Sequence, residues 1–327
     1  MKSVIAGLAL VGSAIAESRT SAPAGCLTVA PSGGDFSSIQ EAVDSLDTSS
    51  TEDQCIFLAA GTYNEQVLVS DRAAQLTIYG ETDDTSSYAG NKATITESKS
   101  QADGLSNDET ATLRVKAANF KLYNVNVENG YGEGSQAVAL SAAADSGYYG
   151  SAFTGFQDTV LANNGNQLYA NSVIQGATDF IFGQEARAWF ESCDIWVVEK
   201  SLGYITANGR DSDSGPSYYV FNNANVDAAP GHNVPEGAYY LGRPWRPYAR
   251  VVFQNSEMSS VINPEGWRVW NEGDSTEGIE FGEFNNSGAG AEGPRVDFAK
   301  ELDAAVAIEE VLGADFASAG YYDAAYM

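Results

Sequence analysis

Four polar residues occupy otherwise apolar segments at a nearly constant spacing. The step from Gln136 to Gln157 equals the step from Asp158 to Asp179, and the step from Gln157 to Asp179 is only one position longer. Two carboxyl groups and two amides at one site are suited to acid–base chemistry on a polar substrate. Each residue alone also fits a polar side chain that satisfies a turn. The shared spacing favours one functional cluster.

Other common catalytic and cofactor sites are poorly represented. The only histidine, His232, lies in the turn-like segment 230–233, and no Gly-x-Ser-x-Gly sequence is present. A Ser-His-Asp or Cys-His hydrolase would need that histidine as its base. One histidine and three scattered cysteines do not form a zinc motif, and no phosphate-binding loop or dinucleotide fingerprint occurs. We therefore predict no metal and no cofactor, and expect any hydrolysis to depend on carboxylates.

The sequence predicts that short strands position these residues. Brief runs rich in Val, Ile, Phe and Tyr are separated by Gly, Asn, Asp and Ser. The aromatics Tyr149, Tyr169 and Phe190 recur at nearly equal intervals, and such a period without helices is typical of a solenoid. A β-sandwich would favour strands every 8–12 residues. A parallel β-helix fits better, and it places residues one coil apart at about 4.8 Å.

Short helices are predicted at both ends of this repeat region. Ser38 and Glu41 form a capping-box pattern ahead of an apolar face that contains Ile39, Ala42 and Val43. Towards the C-terminus, residues 296–312 alternate apolar and acidic residues at helical spacing. We expect this second helix to close the far part of the fold.

The N-terminus resembles a secretory signal. Lys2 is followed by an apolar stretch over residues 4–11, and residues 14–16 fit a small-x-small cleavage site. The apolar stretch is too short to span a bilayer. We predict a signal peptide at residues 1–16, a single domain at residues 17–327, and a secreted, extracellular protein.

The formal net charge is −27. Such a chain repels nucleic acid and anionic membranes, so neither is predicted as a partner. The charge suits an acidic medium, and we expect an acidic pH optimum. Cys26 and Cys55 can pair in an oxidising compartment, which would leave Cys193 buried and free, but the sequence does not decide the pairing.

Several blocks resemble, in order, the signature sequences of the pectin methylesterase (pectinesterase) family. The match covers nearly the whole mature chain. The blocks are 34–43, 61–65, Gln136-Ala137-Val138-Ala139-Leu140, Gly155-Phe156-Gln157-Asp158-Thr159, Asp179-Phe180-Ile181-Phe182-Gly183, Leu241-Gly242-Arg243-Pro244-Trp245, and Gly266-Trp267 with Trp270. The resemblance implies an all-β, right-handed, single-stranded parallel β-helix with short terminal helices. It also implies a secreted enzyme of fungal type that hydrolyses the methyl esters of pectin (homogalacturonan).

The resemblance further implies roles for individual residues. Asp179 would be the nucleophile and Asp158 the general acid and base. Gln136 and Gln157 would stabilise the oxyanion, and Arg243 would keep Asp179 ionised.

Substrate contacts and assembly are also expected from this resemblance. Trp245 and Phe182 would stack on sugar rings. The weaker candidates are Phe156, Trp267, Trp270 and Tyr248. The partner would be methyl-esterified pectin, bound by a monomer. The acidity of the chain adds a separate expectation: because each turnover creates a carboxylate, an acidic groove should repel the product and give scattered demethylation.

Two alternatives remain at this stage. A pectate lyase or polygalacturonase would share the solenoid, but a lyase needs a calcium cluster and a base for the C5 proton, and no such cluster is evident. A solenoid that only binds wall polysaccharide would not need the paired glutamines and aspartates in register. Release of methanol without formation of unsaturated uronides separates the esterase from both.

Overall fold

The computed structural model describes residues 17–327. The predicted signal peptide, residues 1–16, lies outside the described residues. Within the described range the chain is built mainly of short strands, and even the longest α-helix spans only Ile39–Ser45. The α-helices are α1 (Ile39–Ser45), α2 (Asn107–Thr110) and α3 (Ile308–Leu312), and four 3₁₀ turns are Gln101–Asp103, Ala289–Ala291, Phe316–Ser318 and Ala324–Tyr326.

Short strands alternate with tight corners along almost the whole described chain. In order they are β1 (Leu27–Val29), β2 (Gln54–Leu58), β3 (Gly61–Asn64), β4 (Val67–Val69), β5 (Leu76–Gly80), β6 (Ala93–Glu97), β7 (Leu113–Val115), β8 (Phe120–Tyr123), β9 (Val125–Asn129), β10 (Leu140–Ala142), β11 (Ser146–Tyr149), β12 (Ala152–Thr154), β13 (Val160–Ala162), β14 (Asn166–Ala170), β15 (Val173–Gly176), β16 (Thr178–Gly183), β17 (Arg187–Glu191), β18 (Asp194–Val197), β19 (Gly203–Asn208), β20 (Tyr218–Asn222), β21 (Asn225–Ala228), β22 (Tyr239–Gly242), β23 (Arg250–Gln254), β24 (Glu257–Met258), β25 (Glu280–Phe284) and β26 (Ala299–Glu301).

The strands assemble into three parallel sheets. Sheet 1 has the order β1-β2-β5-β8-β11-β14-β17-β20-β23-β25-β26, sheet 2 has β24-β21-β18-β15-β12-β9-β6-β3, and sheet 3 has β22-β19-β16-β13-β10-β7-β4. From β2 to β25, consecutive strands therefore lie in different sheets, and each strand pairs with its counterpart one coil later. This is the predicted parallel β-helix.

A stack of aromatic rings runs through the interior beneath sheet 1. Tyr148, Tyr169, Phe190, Phe221 and Phe253 stack in succession, with ring centroids 4.7, 4.6, 4.3 and 4.2 Å apart. These rings are fully buried. The stack extends the aromatic period that the sequence predicted, because identical positions of successive rungs lie one strand spacing apart.

One member of that predicted period was assigned wrongly. Tyr148, not Tyr149, pairs with Tyr169, because the rung repeat is one position longer than the step from Tyr149 to Tyr169. Tyr149 belongs instead to the outer face of sheet 1, where its hydroxyl donates to the carbonyl of Tyr321 at 2.5 Å. A shift of one residue moves a side chain to the opposite face of a strand.

The corners between sheets 1 and 2 repeat one backbone conformation. Asn124, Asn171, Asn223 and Asn255 have φ values of 56°, 49°, 54° and 52°. Asparagine adopts this left-handed region more readily than other non-glycine residues. The asparagines that follow the aromatic runs in the sequence therefore form sharp corners.

Helix α1 covers one end of the β-helix. The side chain of Ser38 accepts a hydrogen bond from the backbone of Glu41, as predicted, but Glu41 does not complete the capping box. Glu65 from outside the helix caps it instead, accepting from the Ser38 hydroxyl at 2.7 Å and from the backbone N–H groups of Ile39 and Gln40 at 2.7 and 3.0 Å. A carboxylate at this position stabilises the positive end of the helix.

The predicted helix over residues 296–312 is wrong for most of its length. Strand β26 forms instead and extends sheet 1 by pairing with β25, so only Ile308–Leu312 is helical. The backbone N–H and C=O groups at the edge of β25 form hydrogen bonds with residues 299–301, and this pairing is favoured over the helix that the sequence pattern predicted. The remaining tail crosses the outer face of sheet 1, where Tyr326 packs against Tyr123 and Tyr149.

The cysteines follow the arrangement that the sequence allowed. Cys26 and Cys55 form a disulfide that joins the segment before β1 to β2. Cys193 is free and buried. The disulfide therefore fixes the first rung, while the rest of the described solenoid depends on packing and backbone hydrogen bonds.

Phe190→Ala tests the contribution of the aromatic stack. Phe190 packs between Tyr169 and Phe221, so its removal leaves a cavity in the middle of the core. We expect the free energy of unfolding to fall by about 3–5 kcal/mol. Chemical denaturation measures this change. Phe316→Ala, on the partly exposed tail, is the matched control, and an equal loss in both variants would contradict the role of the stack.

Candidate active site

Asp158 and Asp179 lie at the corner between sheets 2 and 3. Asp158 precedes β13, Asp179 is the second residue of β16, and the Asp158 N–H donates to the carbonyl of Thr178 at 3.1 Å. The two aspartates are 6% and 5% exposed. The two carboxyl groups therefore stand on adjacent rungs, as their spacing in the sequence predicted.

A local irregularity aims these side chains. Asp158 and Asp179 have positive φ values of 66° and 50°. The register between β16 and β19 also shifts between Thr178 and Ile181. Phe180 and Ile181, although adjacent, both point into the core. This bulge breaks the usual alternation and turns the Asp179 carboxylate to the outer surface.

Gln136 and Gln157 occupy the corresponding corners. The Ala137 N–H donates to the carbonyl of Gln157 at 3.1 Å, and Gln157 is bridged to Thr178 on the next rung. Both glutamines are partly exposed. Within residues 17–327, neither side-chain amide donates a hydrogen bond to the protein. Their N–H groups are thus available to a bound ligand.

Arg243, which follows β22, holds the Asp179 carboxylate with two hydrogen bonds. Its Nε donates to Oδ1 at 2.9 Å and its Nη2 to Oδ2 at 2.6 Å. The guanidinium also lies between two aromatic rings, 4.1 Å from the centroid of Tyr204 and 3.9 Å from that of Trp270. A bidentate, stacked arginine fixes the orientation of the carboxylate.

The aromatic contacts of Arg243 were largely missed from the sequence. Tyr204 was not singled out, and Trp270 was expected only as part of a motif and as a weaker candidate for stacking on a sugar ring. Tyr204 pairs with Thr178 of the preceding coil, across sheet 3. Because loop lengths vary between these coils, sequence spacing carried no signal for this contact.

The two carboxyl groups differ in their electrostatic surroundings. Burial, reinforced by the charge of Asp179, raises the pKa of Asp158 well above its ordinary value, and Arg243 opposes this only in part. Burial also raises the pKa of Asp179, but its two hydrogen bonds from Arg243 oppose that increase. Asp158 is therefore suited to be the proton donor and Asp179 to be the anion.

An apolar floor lies beside the carboxyl pair on the outer face of sheet 3. Trp245 is partly exposed and packs on Phe182, with ring centroids 6.2 Å apart. Phe182 is only 3% exposed, so it supports Trp245 and presents little surface of its own. The floor is completed by Ala111, Val138, Leu161 and Ala207.

Two predicted substrate-binding residues lie elsewhere. The prediction for Trp267 is wrong, because its side chain is fully buried, stacks on Phe281 and donates from Nε1 to Glu283 at 3.1 Å. Phe156 lies on the sheet 2 side of the corner, where the Lys200 ammonium sits 4.8 Å from its ring centroid. It therefore does not join the cluster of Trp245 and Phe182.

Residues 17–327 contain no group of three or more His, Cys, Asp or Glu side chains arranged to hold a metal ion. In the same range every helix is too short or too polar to traverse a bilayer. The chemistry that this corner can support by itself is carboxylate attack, proton transfer and stabilisation of an oxyanion.

Asp158→Asn tests the raised pKa of Asp158. A folded state that holds a proton more tightly than the unfolded chain loses stability as pH rises above the ordinary aspartate value of about 3.9. Asparagine removes this effect. We expect Asp158→Asn to gain stability relative to the wild type as pH increases from 4 to 7. Chemical denaturation at both pH values measures the difference, and a difference independent of pH would contradict the assignment.

Comparison with known proteins places this geometry in a family. The pectinesterase family model matches residues 27–311. The chain is 53% identical over 323 residues to a pectinesterase of Aspergillus aculeatus, covering 97% of this chain and 98% of the relative.

Solved structures show the same relationship. The chain resembles the pectin methylesterase of Aspergillus niger with a TM-score of 0.88 and 46% identity, covering 95% of this chain and 100% of that one. It resembles the carrot pectin methylesterase with a TM-score of 0.80 and 28% identity, covering 93% and 98%. The chain therefore belongs to the pectinesterase family, carboxylic ester hydrolases built on a right-handed parallel β-helix.

Proposed function

We propose that Asp179 and Asp158 hydrolyse the C6 methyl esters of homogalacturonan, releasing methanol and leaving galacturonate. The relatives named above are pectinesterases, which supports pectin as the substrate. The observation that carries the assignment of residues is the asymmetric carboxyl pair. Arg243 holds Asp179 by two hydrogen bonds, whereas Asp158 is buried beside it without a hydrogen-bonded cation in the described structure.

Acylation begins with attack of the Asp179 carboxylate on the C6 carbonyl carbon. A tetrahedral intermediate forms, and its collapse breaks the bond between C6 and the methoxy oxygen. Asp158 gives its proton to that oxygen, so methanol leaves as a neutral molecule. The product is an anhydride between Asp179 and the galacturonate.

Deacylation uses the same two residues in reverse roles. The Asp158 carboxylate takes a proton from a water molecule, and the resulting hydroxide adds to C6 of the anhydride. Collapse of this second intermediate releases a galacturonic acid unit, which then loses a proton to solvent to become galacturonate; it returns Asp179 to its anionic form and leaves Asp158 protonated. The cycle therefore consumes one water and needs no cofactor.

Gln136 and Gln157 supply donors for the oxyanion of both intermediates. Their amides have no protein acceptor in the described residues and stand at the corners next to the carboxyl pair. Removal of one such donor commonly costs about 2.7–4 kcal/mol of transition-state stabilisation. Side-chain amides suit this fold, because the backbone N–H groups of the strands are used in the sheets.

Trp245 is the best placed side chain to contact a sugar ring, with Phe182 beneath it. The partly exposed indole offers an apolar face next to the catalytic pair. We further propose that the enzyme is secreted and works extracellularly as a monomer. The signal-like residues 1–16 and the net charge of −27 support export and an acidic medium.

Asp179→Asn is the direct test of this mechanism. An amide cannot form the anhydride, so we expect methanol release from highly methylated pectin to fall at least about 10⁴-fold. Gln136→Ala and Gln157→Ala should each lower kcat by about 10²–10³. Methanol and the ultraviolet absorbance of unsaturated uronides are measured in the same sample.

Asp315→Asn on the exposed tail is the matched control and should keep wild-type activity. Methanol release that survives Asp179→Asn would overturn the nucleophile. Ultraviolet absorbance without methanol would identify a lyase, and pectin binding with neither signal would identify a binding solenoid.

Arg243→Lys tests how Asp179 is kept ionised. Lysine retains the charge but not the two-point geometry, so the pKa of Asp179 should rise. Activity requires Asp179 ionised and Asp158 protonated, which predicts a bell-shaped profile whose acidic limb reports Asp179 and whose basic limb reports Asp158. We expect the acidic limb of kcat/KM to move to higher pH in the variant.

Arg250→Lys is a close control for that experiment. Arg250 also pairs with a carboxylate, Glu280, at 2.8 Å and lies 4.0 Å from the ring centroid of Tyr218. It is remote from the carboxyl pair in the fold. An acidic limb that is unchanged in Arg243→Lys, or shifted equally in both variants, would contradict the role of Arg243.

A further inference from the structure

A second groove, separate from the floor on sheet 3, lies along the outer face of sheet 2. We call it the sheet 2 groove; its volume is about 880 Å³. Strands β9, β12, β15 and β18 form its base, and Glu128, Thr154, Gln175 and Trp196 stand in register on successive rungs. Three strand spacings give this row a length of about 14 Å.

The groove presents groups suited to a sugar polymer. Trp196 is partly exposed, and Tyr88 from the neighbouring loop holds it edge-to-face at 5.7 Å. The Tyr88 hydroxyl donates in turn to Asp194. Thr154 and Gln175 are also partly exposed, and their side chains make no hydrogen bond to the protein within residues 17–327. A fixed indole beside free hydroxyl and amide groups matches the alternating apolar and polar surface of a saccharide.

The sheet 2 groove leads directly to the catalytic corner. Gly155 and Phe156, which directly follow β12, line its edge on the side of sheet 3, and the next residue in the chain is Gln157. Lys200 lies over the Phe156 ring and pairs with Glu133 at 3.1 Å, which fixes the ridge between the groove and the carboxyl pair. A polymer that occupies the active site can therefore continue past Phe156 onto sheet 2.

The charges of the groove select one form of the polymer. Glu128 and Glu199 line it, whereas none of its lining residues in the described structure is lysine or arginine. His232 contributes Nδ1 as an acceptor for the Glu199 N–H at 3.1 Å. A galacturonate carboxylate would meet like charge here, but its methyl ester would not.

We propose that the sheet 2 groove binds a methyl-esterified stretch of the same homogalacturonan chain whose ester is hydrolysed at Asp179. This inference rests on the proposed function. The groove retains substrate that is still esterified and releases segments that have been converted to carboxylates. It thereby determines which part of a long polymer stays on the enzyme without contacting the reacting ester.

Trp196→Ala and Gln175→Ala test this proposal by steady-state kinetics. The substrates are long, highly methylated pectin and a fully methylated trigalacturonate, which is too short to occupy both the active site and the groove. We expect KM for the long pectin to rise about three- to tenfold in each variant, with kcat unchanged. Both constants for the short substrate should stay at wild-type values.

Gln175→Ala keeps the test decisive if Trp196→Ala fails to fold, because it removes no aromatic contact. Phe316→Ala, a partly exposed aromatic on the tail across sheet 1, is the control and should leave both substrates unaffected. Unchanged KM for long pectin in Gln175→Ala, with normal methanol release, would overturn the groove but not the esterase. Absence of methanol from the wild type would instead overturn the proposed function.

Inhibition by polygalacturonate gives an independent readout. If the groove selects esters, this polymer should inhibit the wild type and Trp196→Ala equally. Inhibition that weakens in Trp196→Ala would show that the groove binds the de-esterified chain and would overturn the proposed selectivity.

Discussion

The hydrogen-bonded register between successive rungs is the constraint on which the rest of the structure depends. It places equivalent residues of neighbouring coils one strand spacing apart, which stacks Tyr169 on Phe190 in the core and Asp158 beside Asp179 at the surface. The same register thus builds the hydrophobic interior and the reactive pair. Because the backbone groups of the strands are used in the sheets, the chemistry comes from side chains that project outwards at the corners.

The active site forms where this regularity is interrupted. The bulge in β16 and the positive φ values of Asp158 and Asp179 are conformations that non-glycine residues adopt at a cost of about 1–3 kcal/mol each. The asparagine corners on the opposite edge use the same backbone region for a purely geometric purpose. At the catalytic corner the residues in this left-handed backbone region are aspartates instead of asparagines. The aromatic stack beneath provides the rigidity that keeps this strained arrangement in place.

The difference between the two aspartates arises from one residue that comes from two coils further along the chain. Arg243 is far from Asp179 in the sequence, yet its guanidinium donates two partly buried hydrogen bonds to that carboxylate. The rings of Tyr204 and Trp270 hold the guanidinium in one orientation, so its hydrogen bonds go to Asp179 and not to Asp158. Two chemically identical side chains on adjacent rungs thereby acquire different tasks. Beyond the Phe156 ridge, sheet 2 offers a neutral to acidic surface that continues from the same corner.

The sequence by itself determined the solenoid, the repeat length of its coils and the cluster of Gln136, Gln157, Asp158 and Asp179, because a periodic fold converts spacing into proximity. It also indicated Arg243 and Trp245 through motif resemblance. Only the tertiary structure decided which face each aromatic occupies: Trp267 is in the core, and Trp270 and Tyr204 are at the arginine. It likewise replaced most of the predicted C-terminal helix by β26, whose backbone found partners at the edge of sheet 1. These outcomes depend on loop lengths and on competition between local pattern and long-range pairing, and neither is encoded in residue spacing within one coil.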